Sequence, residues 1–195
     1  MHGLINRAIH FFLADTYGRQ VWGEIVRDAG LERHAFESML SYDDKTTDAL
    51  LIAASARLCL PRAMLLEDLG TYLVSHRALE PVRRLLRFGG ETFLEFLFSL
   101  EDLPDRARLA VPDLDLPELR LAEDVSDGFK LDCRGGWPEA FYILQGLLRA
   151  MADDYGALVL LDPLEERPDG GLLGVRLLDT SFSAGRSFSL KGPMA

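Results

Sequence analysis

The stretch "RFGGETFLEFLFSLEDLPDRARL", residues 87–109, decides how the chain is read. Phe93, Leu97 and Leu100 recur at spacings of four and three, the period of one helix face, and Pro104 follows four residues later on the same stripe. The pattern predicts a helix from about Glu91 to Leu103 whose inward face ends at Pro104. A proline has no N–H and its ring obstructs the preceding turn. Pro104 therefore also reads as a plain terminator, with "DRARLAVPDLDLP" as loop beyond it.

Upstream, helices follow one another closely. Leu4, Ile5, Ala8, Ile9 and Phe12 form one stripe, while Asn6, Arg7 and His10 fall on the opposite, polar face, where His10 reads as solvent-facing. After Asp15 and Thr16, the positions Val21, Trp22, Ile25, Val26 and Ala29 mark a second helix, which Gly30 stops. "YDDKTTDALLIAASARLCL" caps an Ala/Leu-rich helix with Asp and Thr, and Pro61 reads as a first-turn residue of the next, "PRAMLLEDLGTYLVSH". Downstream the texture changes. Leu119–Ala122 and Phe129–Cys133 are short strand segments joined by "EDVSDG", which is hairpin chemistry. "WPEAFYILQGLLRAMADDYG" returns to a helical period that Gly156 ends, and "ALVLLDPLEERPDGGLLGVRLLD" supplies two more strands around "ERPDGG". The outline is α+β: a helical N-terminal lobe, then an antiparallel four-stranded sheet with one inserted helix. We expect one domain over residues 1–179, with a helical lobe at 1–103 and a sheet-containing lobe at 104–179. The Ser/Gly-rich residues 180–195 are expected to form a flexible tail.

At 195 residues with 48% hydrophobic and 27% charged side chains, the chain can build one sizeable core. Its formal charge of −10 repels phosphate backbones and anionic lipid surfaces, which argues against nucleic acid and membranes as partners. No apolar run approaches the length of a membrane span, and Arg7, His10 and Asp15 interrupt the first stretch where a secretion signal stays apolar; a cytoplasmic location is expected. Cys59 and Cys133 lack CxxC spacing, so neither a disulfide framework nor a zinc ribbon is indicated, and both read as buried thiols.

Catalytic patterns are absent. The acid pairs Asp43–Asp44, Asp153–Asp154 and Glu165–Glu166 are adjacent in sequence, so their side chains do not converge on one substrate atom; they read as solvated faces or caps. The glycine pairs lack a phosphate-loop Lys and dinucleotide spacing. His2, His10, His34 and His76 share no metal-ligand spacing, so no metal site and no enzyme activity are expected. One basic cluster, His76, Arg77, Arg83, Arg84 and Arg87, either receives an acidic partner surface or, more simply, solvates a short helix.

Several of these segments together resemble a known family. "MHGLINRAIHFFLADTYGRQVWGEIVRDAGL", "YDDKTTDALL", "LLEDLGTYLV", "LLRFGGETFLEFLFSLEDL", "VSDGFKLDC" and "FYILQGLLRAMADDYG" are similar, in order and spacing, to the H-NOX family of haem nitric-oxide/oxygen-binding domains, from Met1 to about Asp179. The resemblance implies the H-NOX fold, with haem held between the helical and sheet lobes by a histidine just after the "FLxFLxxL" helix. That position is Pro104 here. A proline within a chain has no lone pair to give iron. The family also holds the haem carboxylates with a Tyr-x-Ser-x-Arg motif. Its positions fall on Cys133, Gly135 and Trp137 or, in a register shifted by two, on Leu131, Cys133 and Gly135, and neither restores the motif. Arg134 is the only nearby cation, beside a repelling Asp132. The distal positions fall on about Ile9, Leu73 and Ile143, all apolar, which suits nitric oxide or carbon monoxide rather than oxygen.

What the resemblance implies is therefore a sensory or regulatory module that has lost ordinary haem binding. The implied pocket is lined by Ile5, Ile9, Leu73, Phe88, Leu97, Leu100, Pro104, Cys133, Ile143 and Leu147. No cofactor is expected, and the candidate ligands are an apolar small molecule or nitric oxide. Stand-alone bacterial members act on a separate histidine kinase or cyclic-dinucleotide enzyme, and the chain is expected to carry no output domain of its own. The alternative is a haem-binding nitric oxide sensor with non-standard axial ligation, by Cys133 or a displaced histidine.

Overall fold

Helix α1 (Gly3–Tyr17) starts at His2, whose Nδ1 accepts the Leu4 N–H at 3.2 Å, and ends at Gly18, where a φ of 94° turns the chain into α2 (Arg19–Asp28). The structure, a computed structural model, describes residues 1–32, 35–124 and 128–188. His34, the centre of the "EDVSDG" turn and residues 189–195 lie outside the described residues. The chain separates into two compact units, Met1–Leu69 and Gly70–Ala195.

The first unit continues with α3 (Asp44–Leu58), capped by Asp43, and the start of α4 (Arg62–Ser75). Its core is Ile9, Phe12, Leu13, Ile25, Val26, Leu50, Leu65 and Leu66, all at most 4% exposed. Two readings of α1 are corrected here. Asn6 is fully buried, because its Oδ1 accepts the Thr47 hydroxyl of α3 at 2.7 Å. His10 is half-buried, its ring stacked on Trp22 with centroids 4.4 Å apart. Cys59 also departs from expectation. It ends α3 in the left-handed region at φ 53°, and the turn leaves it exposed.

The second unit holds the end of α4, then α5 (Glu80–Arg87), α6 (Phe93–Phe98) and α7 (Leu103–Ala110), followed by β1 (Glu118–Asp124), β2 (Gly128–Arg134), α8 (Ala140–Tyr155), β3 (Leu158–Arg167) and β4 (Gly170–Asp179). The sheet is antiparallel in the order β1-β2-β4-β3. β3 is an edge strand and carries a register shift at Pro163, a residue that cannot donate to a ladder. The division at residue 69 puts the helices of residues 80–110 with the sheet, not with the helical lobe expected to run to residue 103. Packing explains this: Leu86, Phe93, Phe96, Leu97 and Leu100 share one core with Leu131, Leu173 and the inner face of α8. At the start of the unit, the Thr71 hydroxyl donates to the Gly146 C=O of α8 at 3.3 Å.

Pro104 does not end the helical run. A capping box, Thr92 with Glu95, starts α6, a 3-10 turn over Ser99–Asp102 re-registers the chain, and α7 begins with Pro104 in its first turn. There the missing N–H breaks no hydrogen bond and the fixed φ suits the helix. "DRARLA" is helix where loop was expected. Among the described residues no single helix is long and apolar enough to cross a membrane.

Candidate functional site

The axial and carboxylate-anchoring positions that the family resemblance marks lie at two places in the second unit. Pro104 is buried, one turn beyond Leu100, which is fully buried. The side chains of β2 alternate: Leu131 (0% exposed) and Cys133 (1%) face the core, while Asp132 and Arg134 face the other side of the sheet. There Arg134 Nε donates to Asp132 Oδ2 at 2.9 Å and Arg167 Nη1 to Asp132 Oδ1 at 2.9 Å. The Arg134 hydrogen bond, assisted by Arg167, holds the Asp132 carboxyl below its ordinary range despite partial burial. Arg134, the cation that the sequence places near the motif, is thus engaged with Asp132, and Arg167 is a second cation there that sequence spacing did not bring into view. Gly135 and Gly136 turn the chain at positive φ, so position 135 offers no side chain in either register.

These residues do not fit the ordinary haem anchoring. Of Pro104, Leu131, Cys133, Gly135 and Trp137, only Cys133 carries an atom that could ligate iron. Its thiol is packed in the core, and burial, with the nearby carboxylates of Asp132 and Asp169 adding to it, pushes its pKa up to about 12, so it stays protonated. Among the described residues no group of three His, Cys, Asp or Glu side chains could hold a metal ion.

The ten expected lining residues do not all meet. Leu97, Leu100, Cys133 and Leu147 belong to one core cluster. Leu73 and Ile143 are half-buried on α4 and α8. Phe88 is 68% exposed, a correction: α5 turns Arg83 and Leu86 inward, and Phe88, two residues past Leu86, points to the far side. In the first unit Ile5 is half-buried, and Ile9 borders an apolar void of about 10 Å³ with Leu13, Leu51 and Leu66, room for a single water at most. A cleft of about 380 Å³ in the second unit is lined by Leu94, Glu123, Asp124, Gly128, Phe129 and Leu177, none of them an expected lining residue.

A different cluster went unread. Asp154 is 1% exposed and Arg83 4%, and Arg83 Nε donates to Asp154 Oδ1 at 2.7 Å. Arg83 Nη1 also reaches Glu80 Oε1 at 3.0 Å, and Arg87 Nη1 lies 3.7 Å from Asp154 Oδ2. Burial alone would lower the Arg83 pKa, but Asp154 and Glu80 outweigh it and hold the guanidinium above its usual value. The Arg87 guanidinium lies over the Tyr155 ring at 3.8 Å, and the Tyr155 hydroxyl donates to the Gly90 C=O at 2.9 Å. Asp154 is therefore no solvated acid and Arg83 no solvating cation. The signal was present: Asp154 follows Leu147 and Met151 at spacings of four and three, and Arg83 precedes Leu86 by three, so both charges sit on apolar stripes.

A helical N-terminal region followed by a four-stranded antiparallel sheet with one long helix packed on it defines an H-NOX fold. The H-NOX protein from S. oneidensis in the Fe(II)NO state superposes with a TM-score of 0.76 at 15% identity, covering 92% of this chain and all of that one. The Fe(II) unliganded H-NOX protein from K. algicida gives 0.75 at 18% identity, covering 98% and 100%. The haem-NO-binding family, HNOB, matches residues 2–160, and the chain belongs to it. Among curated proteins, soluble guanylate cyclase gcy-31 of Caenorhabditis elegans is 23% identical over 79% of this chain, and soluble guanylate cyclase 89Db of Drosophila melanogaster 22% over 89%. The chain spans only about a quarter of their lengths, 22% and 26%.

Proposed function

We propose that this chain is an H-NOX sensory or regulatory module that acts through a signalling partner and does not use ordinary haem binding. One observation carries the reading: the family's axial position is Pro104, seated in the first turn of α7 with no lone pair to offer. The apolar inward face of β2 supports it independently, since Leu131 and Cys133 provide neither the hydroxyl nor the guanidinium that would hold haem carboxylates. The scaffold's role is then regulation rather than catalysis, and a histidine kinase or a cyclic-dinucleotide enzyme is the kind of partner such a module addresses. Nitric oxide or an apolar small molecule is the candidate signal. A single domain over residues 1–179 is the working unit of this reading.

Haemin titrated into the purified full chain tests it. The expected result is the broad absorption of free haem, with no sharp Soret band and no stoichiometric end point. A saturating five- or six-coordinate spectrum at one haem per chain would overturn the reading. If that spectrum disappeared in Cys133→Ala, it would establish thiol ligation in its place.

A further inference from the structure

Beyond residue 160, where the family match ends, the chain returns to the end of α8. The Ser183 N–H donates to the Gly156 C=O at 3.0 Å and the Arg186 N–H to the Asp154 C=O at 2.9 Å. Arg83 Nη2 donates to the Ser187 C=O at 3.1 Å, and the Phe188 ring lies 5.7 Å from the Arg83 guanidinium carbon and 5.0 Å from that of Arg87. Arg186 adds a third cation, its Nε 3.7 Å from Asp154 Oδ1. We propose that residues 183–188 form a releasable strap: closed, it seals the Arg83–Asp154 pair between α5 and α8, and lifted, it bares Arg83 and Arg87.

The strap's hydrogen bonds are made by main-chain groups on its side. Gly156 and Gly185 make that possible. Both have positive φ, 76° and 61°; a Cβ on Gly156 would collide with the Ser183 carbonyl, and one on Gly185 would come within 2.9 Å of the Asp154 carbonyl. The strap is also loosely sealed. Ser183, Ala184, Arg186 and Ser187 are exposed and of the strap's large apolar side chains only Phe188 is half-buried, so little apolar surface resists lifting. Beneath it Asp154 Oδ2 and Arg87 Nε are buried without a hydrogen bond. Because the strap touches α5 and α8 only when closed, whatever binds the lifted segment loosens the ion-pair cluster. By linkage, whatever tightens that cluster opposes such binding. This holds whether or not haem binds.

Amide hydrogen exchange on the full chain, comparing it with Gly185→Val, tests the proposal. In the unsubstituted protein the Ser183 and Arg186 amides are expected to exchange at least about tenfold more slowly than unstructured amides. The valine should abolish that protection while α8 amides keep theirs, and phenylglyoxal should then modify Arg83 and Arg87. Free exchange at Ser183 and Arg186 in the unsubstituted chain would show that there is no strap. Loss of α8 protection together with that of the strap would show that residues 183–188 are an integral part of the core and not a releasable element.

Discussion

Around Pro104 and the inner face of β2, the second unit buries only apolar or neutral groups: Leu97, Leu100, Leu131 and a protonated Cys133. Beneath residues 183–188 the same unit buries a carboxylate and two guanidinium groups at close range. The first region is where the family resemblance calls for a metal ligand and charged anchors, and there the chain has hydrocarbon packing. The second carries no family motif, yet it holds the unit's most buried charges. Polar groups are costly to bury unless paired, so they mark what a fold is organised around. On that measure the organising contact here is the α5–α8 ion pair.

The comparison breaks most sharply at Asp154. Replacing it with Asn leaves the buried Arg83 with Glu80 as its remaining carboxylate partner, a change that should cost about 3 kcal/mol, the low end for a broken buried pair. At roughly 2–4 °C per kcal/mol for a chain of this size, the thermal midpoint should fall by about 10 °C. Circular dichroism melts check it. A loss below about 1 kcal/mol would mean that the pair behaves as a surface salt bridge, and the contrast between the two regions would vanish.

At Pro104 the effect should be smaller and its readout spectroscopic. Pro104→His breaks no hydrogen bond, because the first-turn nitrogen of α7 makes none. It gives up the proline's restriction of the unfolded chain and buries an imidazole, together about 1–3 kcal/mol. In exchange it supplies a nitrogen lone pair at the family's axial position, so haemin should produce a saturable Soret band with Pro104→His and none with Pro104→Leu. If neither binds, the lost carboxylate anchors on β2 are the dominant deficit rather than the lost ligand.

Element order was legible because most helices and strands carry their own period and punctuation: the Asp cap of α3, the Gly30 and Gly156 stops, the two hairpins. What stayed hidden depends on a partner distant in sequence. Asn6 reads as part of a polar face until Thr47 of α3 meets it, and Arg83 and Asp154 look like surface charges until α5 and α8 pack. Pro104 reads as a stop because the 3-10 turn before it, which re-registers the chain, leaves no trace in the apolar spacing. The strap's hydrogen bonds run through its main-chain amides and carbonyls, which leave no trace in the sequence. The absence at position 104 was readable only as a departure from a family pattern, while the core around Leu100 was readable from periodicity alone.

The smallest expected effect separates the two kinds of burial by pH. The Cys133 thiol is raised to about 12 from an ordinary value of 9.0 by burial first and by neighbouring carboxylates second. Below pH 9 the thiol is protonated in folded and unfolded chains alike, and its contribution to stability is fully present. Above that, the unfolded state releases the proton first, and stability falls by about 1.4 kcal/mol per pH unit until the folded value is reached. Tyr155, raised to about 12 from 10.0 chiefly by burial, adds the same sign from pH 10 upward. Cys133→Ala removes only the thiol's share. The stability gap between the unsubstituted chain and Cys133→Ala, measured by urea unfolding at pH 8, 9 and 10, should therefore hold steady to pH 9 and narrow by about 1 kcal/mol at pH 10. A constant gap would place the sulfur in water-accessible surroundings, and the apolar region around β2 would then be less closed than its packing implies.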